Sequence, residues 1–148
     1  MPHVLIASDA EWIHGELQSV LSGSSTTIGQ LRAGADVLAA VRERQPDLLI
    51  LDFQIGAMGG VATCLELRLE ESAHRLDHIP VLLLLDRRAD VFMAKRSGAE
   101  GWVIKPLDPI RIRRAAQAVM GGGTFHDESY VPAVVDAAMA AGSTDAAD

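Results

Sequence analysis

The sequence has few of the residues that mark disulfide-rich or membrane proteins. Its 148 residues include one cysteine and 4% aromatic residues, and no apolar run approaches the ~20 residues needed to span a bilayer. One cysteine excludes an internal disulfide framework and suits a reducing cytoplasm. The first residues, MPHVLIASD, have no basic segment before their short apolar stretch, so they predict a strand and not a signal peptide. We therefore expect a cytoplasmic protein without membrane association.

Basic residues are outnumbered and unevenly placed. Thirteen Lys and Arg stand against 20 Asp and Glu, a formal net charge of -7, which argues against a surface built to bind nucleic acid. Residues 87–114 reverse this sign with eight bases and three acids, whereas residues 115–148 hold five acids and no Lys or Arg. The basic segment is either a solvated surface or a face for a partner, and direct DNA binding is not expected.

Four short apolar runs predict the core of the fold. They are bounded by polar or turn residues and do not alternate, which is typical of parallel strands buried on both faces. The runs are 4–7, 48–51, 81–85 and 102–104, with 26–28 as a weaker edge strand. Strand and helix alternate five times, so the sequence predicts a doubly wound α/β domain over 1–121. A Gly-containing acidic tail, 122–148, is expected to be loosely ordered.

Charged residues follow directly after these runs, where α/β proteins bind their ligands. Ser8-Asp9, Asp52, Asp86 and Lys105 end the four runs in order. If the first and third strands are neighbours, Asp9 and Asp52 repel each other unless a cation such as Mg²⁺ lies between them. Lys105 adds a second positive charge. The pattern therefore predicts a phosphate receptacle around one acceptor carboxylate, Asp52.

The arrangement resembles the response-regulator receiver domain of two-component signalling, over about residues 3–121. Four segments carry the resemblance: VLIASDAE, QPDLLILDFQIGAMGG, IPVLLLL and GAEGWVIKPLDP. It implies a flavodoxin-like fold, with a five-stranded parallel sheet of order 2-1-3-4-5 flanked by five helices. The roles that it implies are phosphoacceptor for Asp52, phosphoryl binding for Lys105, and Mg²⁺ ligation by Asp9, Asp52 and the backbone carbonyl of Gln54. In this family the Lys-Pro peptide is commonly cis, which proline makes inexpensive.

Two positions depart from the family pattern. Ser8 stands where most receivers have the first of two acidic residues, so Mg²⁺ is expected to bind more weakly, with Ser8 at most a ligand through water. Leu85, followed by Asp86, stands where the family has a Ser or Thr whose hydroxyl binds the phosphoryl oxygen. Leucine cannot donate that hydrogen bond, and an aspartate would repel the phosphoryl group. We hypothesise that Asp86 pairs with Lys105 or Arg87 instead.

The function implied by the resemblance is that of a stand-alone, single-domain response regulator in a phosphorelay. Such a protein is no enzyme beyond self-phosphotransfer and autodephosphorylation at Asp52. Its expected partners are a sensor histidine kinase or phosphotransfer protein and an output protein. Output, or a homodimer, is expected on the face of the fourth helix, fifth strand and fifth helix. The basic residues of that face are Arg87, Arg88, Lys95, Arg96, Arg111, Arg113 and Arg114.

Two other functions stay open. A phosphorylation-independent binding module would keep the fold and lose part of the switch, as Ser8 and Leu85 favour. Trp102 lies where the family has its aromatic switch residue, and without a Ser or Thr partner we interpret it as a packing residue. A weaker alternative is a nucleotide or flavin protein using the glycines of residues 55–60. That loop lacks the spacing of known nucleotide motifs, and a tight turn beside Asp52 explains it as well.

Overall fold

The apolar runs of the sequence form one parallel sheet. The computed structural model describes residues 2–23 and 25–128. Its strands are β1 (His3–Ala7), β2 (Thr27–Leu31), β3 (Leu48–Asp52), β4 (Val81–Leu85), β5 (Gly101–Ile104) and β6 (Phe125–His126). They lie in the order β2-β1-β3-β4-β5-β6 and each neighbouring pair is parallel. The predicted order of five strands is confirmed, and β6 is a sixth strand that the sequence analysis did not foresee.

Helices cover both faces of the sheet, so alternate residues of each strand enter two separate cores. The helices are α1 (Glu11–Leu21), α2 (Val37–Glu43), α3 (Gly60–Ser72), α4 (Val91–Ser97) and α5 (Pro109–Met120). Helices α1 and α5 pack with Val4 and Ile6 of β1, whereas α2, α3 and α4 pack on the side of Leu5 and Ala7. Strands β1, β3, β4 and β5 are buried along their whole length. The doubly wound α/β arrangement is thus confirmed.

The segment between β5 and α5 has two features that the sequence indicated. The Lys105-Pro106 peptide bond is cis, as the resemblance implied. The Asp108 carboxylate accepts the N–H of Ile110 at 3.0 Å and so caps α5, with Pro109 in the first turn. Both features fix the direction in which the chain leaves the carboxyl end of β5.

Strand β6 forms because the chain reverses after α5. Gly122 has a φ of 91°, a left-handed conformation that glycine adopts without strain. The chain then returns along β5, where the N–H groups of Phe125 and Asp127 donate to the carbonyls of Glu100 and Trp102, both at 3.3 Å. Residues 125–128 therefore continue the folded sheet.

The predicted tail extends past this point. Residues 129–148 lie outside the described part of the chain, so the expectation of a loosely ordered tail is not addressed for them. In the described ranges, 2–23 and 25–128, no helix is long and apolar enough to cross a membrane.

Candidate functional site

The carboxyl ends of β3, β4 and β5 bring three charged side chains together. The Lys105 ammonium lies 2.9 Å from Asp52 Oδ1 and 2.8 Å from Asp86 Oδ1, so two carboxylates share one cation. Asp52 is only 2% exposed, and a charge-assisted hydrogen bond offsets part of the cost of burying its carboxylate. Asp86 thus pairs with Lys105, one of its two hypothesised partners. The other, Arg87, contacts Asp90.

Lys105 is held as a cation by its two partners. Burial acts to lower the pKa of Lys105, but hydrogen bonds from its ammonium to Asp86 and Asp52 outweigh burial and raise that pKa above its ordinary value. Asp86 uses only one of its oxygens here, since within the described residues its buried Oδ2 has no hydrogen-bond partner. The site therefore contains a charged donor and one buried acceptor that is not satisfied.

Ser8 occupies the other side of the Asp52 carboxylate. Its hydroxyl donates to Asp52 Oδ2 at 2.8 Å and accepts the N–H of Ala10 at 3.0 Å. The N–H of Gln54 donates to Asp52 Oδ1 at 3.2 Å. Both Asp52 oxygens are therefore engaged by donors, which stabilise the carboxylate anion and lower its nucleophilicity. Sequence reasoning treated Ser8 as a missing charge and at most a ligand through water, and it did not predict this contact.

Asp9 lies at the rim of the site and is exposed. Its Oδ2 accepts the N–H of Gly56, at 3.0 Å, from the loop that follows β3. Helix α1 begins after Ala10 without a capping side chain, so Asp9 does not serve as its N-cap. Asp9 thus ties the end of β1 to the loop that carries Gln54.

With this geometry established, comparison with known proteins identifies the family. The response regulator receiver domain family matches residues 4–117. The chain belongs to this family. A relative in Streptomyces coelicolor, the transcriptional regulatory protein AfsQ1, is 30% identical over 125 residues, which are 83% of this chain and 53% of AfsQ1. The DNA-binding response regulator MtrA of Mycolicibacterium smegmatis is 31% identical over 108 residues, 72% of this chain and 45% of MtrA. The receiver chain spans about half the length of these curated relatives.

Solved receiver structures have the same fold. One is the receiver domain of a sensor histidine kinase from Pseudomonas aeruginosa, with a magnesium ion in its active-site cleft. It matches with a TM-score of 0.71 and 16% identity, over 81% of this chain and 98% of that one. Such a likeness shows the fold, and it confirms the flavodoxin-like receiver architecture implied by the resemblance.

The glycine loop of this receiver forms a tight turn beside Asp52. A Cβ at Gly60 would lie 2.7 Å from the Asp52 carbonyl oxygen, closer than side-chain atoms pack. Ala57 and Met58 adopt positive φ values of 51° and 81°. The Gly56 N–H is already bound to Asp9. These contacts favour the turn interpretation over a nucleotide-binding loop.

The residues at the family's switch positions are both buried. Leu85 is 0% exposed and Trp102 is 3% exposed. The Leu85 side chain packs in the core of α2, α3 and α4, so it presents no polar group to the site. The Trp102 ring stacks on His126 of β6, with centroids 4.1 Å apart and planes 4° from parallel. His126 was not singled out from the sequence, because its contact with Trp102 depends on the unforeseen strand.

Four of the seven predicted partner-face residues lie beside β6. Arg88 and Lys95 line a cavity of about 420 Å³ on one side of the strand. Arg111 and Arg114 line a second cavity of about 390 Å³ on the other side. Residues of the strand itself, among them His126, line both cavities. The basic segment therefore surrounds β6 as two flanking groups.

The other three basic residues have local contacts. The Arg87 guanidinium lies 3.0 Å from Asp90, and that of Arg96 lies 4.3 Å from the centroid of the Phe92 ring. Arg113 points toward α1 and lies 3.5 Å from one of its backbone carbonyls. These three residues line neither of the two cavities, and their place in a partner face stays a prediction.

The donor set near Asp52 is made of oxygen atoms. It comprises the carboxylates of Asp52 and Asp9, the hydroxyl of Ser8 and the backbone carbonyl of Gln54. Mg²⁺ prefers such ligands and usually keeps several waters. Within the described residues, no group of three or more His, Cys, Asp or Glu is placed to hold a metal ion. The donor chemistry suits Mg²⁺, and with two carboxylates in place of three it would hold the ion more weakly.

Proposed function

We propose that this receiver is a single-domain response regulator of a phosphorelay that accepts a phosphoryl group on Asp52 and acts through protein contacts. The observation that carries the proposal is the 2.9 Å contact between Lys105 Nζ and Asp52 Oδ1. A fixed ammonium beside a buried carboxylate lies where negative charge collects when a phosphoryl group arrives. A cytoplasmic location and the absence of direct DNA binding belong to the same proposal.

The proposed reaction is transfer from a phosphohistidine or a small phosphodonor. An Asp52 carboxylate oxygen attacks phosphorus, the P–O bond forms, and the bond to the donor's nitrogen or oxygen breaks with its electron pair on the leaving group. A histidine leaving group takes up a proton from solvent and becomes neutral imidazole. Hydrolysis of the acyl phosphate by water returns Asp52 and inorganic phosphate. Beyond these two steps at Asp52, no enzymatic activity is proposed.

Residues Ser8 and Asp86 are expected to make this transfer slow. The Ser8 hydroxyl donates to Asp52 Oδ2 at 2.8 Å, and this hydrogen bond stabilises the carboxylate and makes the oxygen a weaker nucleophile. Asp86 holds the same ammonium that the incoming phosphoryl group needs, and its carboxylate repels that group. Leu85 supplies no hydroxyl to compensate. Mg²⁺, held by Asp9, Asp52 and the Gln54 carbonyl, would offset negative charge during the transfer.

The second candidate is a binding module whose output does not depend on phosphorylation. It is supported by the engagement of both Asp52 oxygens and by the apolar, fully buried Leu85. In this case the Asp52–Lys105 pair would have only a structural role.

Incubation with Mg²⁺ and acetyl phosphate or beryllofluoride separates the two candidates. We expect wild type, but not Asp52→Asn, to gain the mass of one phosphoryl group from acetyl phosphate and to show amide shifts around Lys105 with either reagent. Asp77→Asn is the matched control, since it removes one exposed carboxylate from the loop before β4. The same response in wild type and Asp52→Asn, or none in either, would establish the phosphorylation-independent module.

Partner identity also belongs to the proposal. A sensor histidine kinase or phosphotransfer protein would supply the phosphoryl group, and an output protein would read the receiver. The homodimer through α4, β5 and α5 stays a prediction. Sedimentation velocity over a range of concentrations, with and without beryllofluoride, tests it.

A further inference from the structure

Strand β6 covers the edge of the sheet with very few interactions. It contains two residues, which pair with Gly101 and Trp102 of β5, and the hydrogen bonds at the two ends of the pairing, from the N–H groups of Phe125 and Asp127, are both 3.3 Å long, just beyond the usual range. A further contact comes from a side chain, since Asp127 Oδ2 accepts the Ile104 N–H at 2.9 Å. Segments with so few interactions open at low free energy.

The fit of β6 on β5 is also incomplete. Trp102 is 3% exposed, yet within the described residues its Nε1–H has no hydrogen-bond partner. Buried tryptophans usually find an acceptor for this group. His126 stacks on the ring without satisfying that donor. A different strand that placed an acceptor there would bind this edge better than the chain's own residues.

The edge of β5 is shaped to accept an extended backbone. A Cβ at Gly101 would lie 2.8 Å from the Phe125 carbonyl oxygen and 3.1 Å from Val119, so only glycine allows the close approach of β6. When β6 leaves, the Glu100 and Trp102 carbonyls and the Ile104 N–H lose their partners. Such a row of unpaired groups is the template on which a peptide adds as a strand.

The charges beside this edge select an acidic strand. The two cavities that flank β6 contribute Arg88 and Lys95 on one side and Arg111 and Arg114 on the other, against one acid outside the strand's own segment, Asp108, which lies 3.8 Å from Arg111. The Arg111 guanidinium lies 3.8 Å from the Asp127 carboxylate. The chain's own segment thus places an acid between basic walls, with its second oxygen on a backbone N–H of β5.

We propose that β6 is a displaceable strand, and that an extended acidic segment of a partner protein replaces it on β5 by strand addition. The partner supplies the backbone pairing of residues 125–127 and a carboxylate at the place of Asp127. While β6 is bound it competes with that partner at the high effective concentration of a short tether. The inference rests on the part of the proposed function that assigns output to protein contacts, and it does not require phosphorylation of Asp52.

Peptide competition in the full-length protein tests the proposal. The probe is a peptide with the sequence of residues 121–130, GGGTFHDESY. The chain variant His126→Ala/Asp127→Ala weakens the internal strand and leaves β5 intact. We expect this variant to bind the peptide about tenfold more tightly than wild type does, because internal competition is reduced. The readouts are the NMR shifts of the Trp102 indole N–H and the Ile104 amide.

Two controls identify the site and the charge preference. Adding Gly101→Ala to the variant should abolish the gain, whereas adding Gly15→Ala should preserve it, since a Cβ at Gly15 meets no atom within 4 Å. A peptide carrying Asp127→Lys should bind at least about tenfold more weakly, because the cavity walls are basic. Equal binding by wild type and variant, an unaffected Gly101→Ala response, or equal binding of the two peptides would each overturn the proposal.

Hydrogen exchange in the wild-type chain provides a test without any substitution. The Ile104 amide donates to the Asp127 side chain, so it should exchange much faster than the amides of β4. Equally slow exchange would show that β6 does not open, and would overturn the proposal. The same measurements in Asp52→Asn should give the same result. Failure of the strand exchange and failure of Asp52 phosphorylation are therefore distinguishable.

Discussion

Strands β4 and β5 have a cation between two carboxylates at each of their ends. At the carboxyl end, Lys105 contacts Asp52 and Asp86 at 2.9 and 2.8 Å. At the amino end, Arg68 of α3 contacts Glu71 and Glu100 at 2.7 and 2.8 Å. Both clusters place one cation between two carboxylates at nearly the same distances, but at the amino end the His78 ring also contacts Glu71 and Glu100, at 2.9 and 2.7 Å, and the remaining hydrogen bonds differ.

The Arg68 cluster uses its polar groups to hold backbone in place. Arg68 donates to the carbonyls of Ile79 and Gly98, Glu71 accepts the N–H of Ile79, and Glu100 accepts that of Val81. The guanidinium is a rigid fork whose donors are directed at fixed partners. This cluster joins α3 to the starts of β4 and β5 and has a structural role.

The Lys105 cluster is built more loosely. An ammonium on a flexible four-carbon stem can follow a new anion, and Asp86 retains a buried oxygen without a partner among the described residues. The two clusters therefore have similar ion pairs and differ in the hydrogen bonds around them. Those of Arg68 hold the backbone in place, whereas those of Lys105 leave its ammonium able to follow a new anion.

The largest expected effect comes from breaking the amino-terminal cluster. Arg68→Met should lower the free energy of unfolding by about 3 kcal/mol, because two partly buried carboxylates lose their guanidinium partner and keep only the exposed His78 ring. Urea unfolding followed by circular dichroism measures this. Arg75→Met is the matched control, since Arg75 pairs with Glu70 at the surface with 60% of its side chain exposed, and its midpoint should hardly move. Equal losses in the two variants would contradict the structural role.

The next effect concerns chemistry at the carboxyl end. Lys105→Met should slow the uptake of a phosphoryl group from acetyl phosphate about 100-fold, since a single preorganised donor to developing charge has that value. It should destabilise the fold less than Arg68→Met does, because Asp52 keeps its hydrogen bonds from Ser8 and Gln54. Lys95 lines the cavity of about 420 Å³ beside β6, and the control variant Lys95→Met should react at the wild-type rate. If Lys105→Met takes up the phosphoryl group at the wild-type rate, Lys105 has no role in the transfer.

A smaller effect of opposite sign is expected at Asp86. Asp86→Ala frees Lys105 for the incoming phosphoryl group and removes a repelling charge, so phosphorylation should be about tenfold faster, equivalent to ~1.4 kcal/mol. Asp77→Ala removes the same charge from a distant loop and should leave the rate unchanged. Phosphorylation rates are measured by intact mass spectrometry at several acetyl phosphate concentrations. Slower phosphorylation of Asp86→Ala than of wild type would mean that Asp86 assists the reaction.

The smallest effect is a dependence of stability on alkaline pH. The pKa of Lys105 is raised in the folded protein from its ordinary value of 10.5, so the folded state holds this proton more tightly than the unfolded state does. The resulting stabilisation is complete below pH 10.5 and is lost as the pH rises through the folded pKa. Urea midpoints of wild type should therefore fall more steeply than those of Lys105→Met over this range. If the urea midpoints of the two proteins fall in parallel as the pH rises, Asp52 and Asp86 do not raise the pKa of Lys105.

Much of this site could be predicted because it follows from strand ends. Unbroken apolar runs precede Asp52 and Lys105. These runs predict that both residues lie at the carboxyl ends of buried, parallel strands, and therefore on the same side of the sheet. Ser8 was located correctly, but its hydrogen bond to Asp52 depends on a hydroxyl rotamer that no sequence pattern encodes. The Arg68 cluster escaped notice because its members are far apart in sequence. Strand β6 was missed because two residues give no periodicity and its pairing depends on the turn at Gly122.

The direction of β6 places its side-chain anchor beside Lys105. Because β6 runs parallel to β5, with Trp102 opposite His126, residues 125–128 run toward the carboxyl ends of the strands. Ile104 donates to Asp127, and the next residue, Lys105, contacts Asp52. One peptide unit thus separates the cation beside Asp52 from the anchor of β6, so a displacement at either position has a short covalent path to the other.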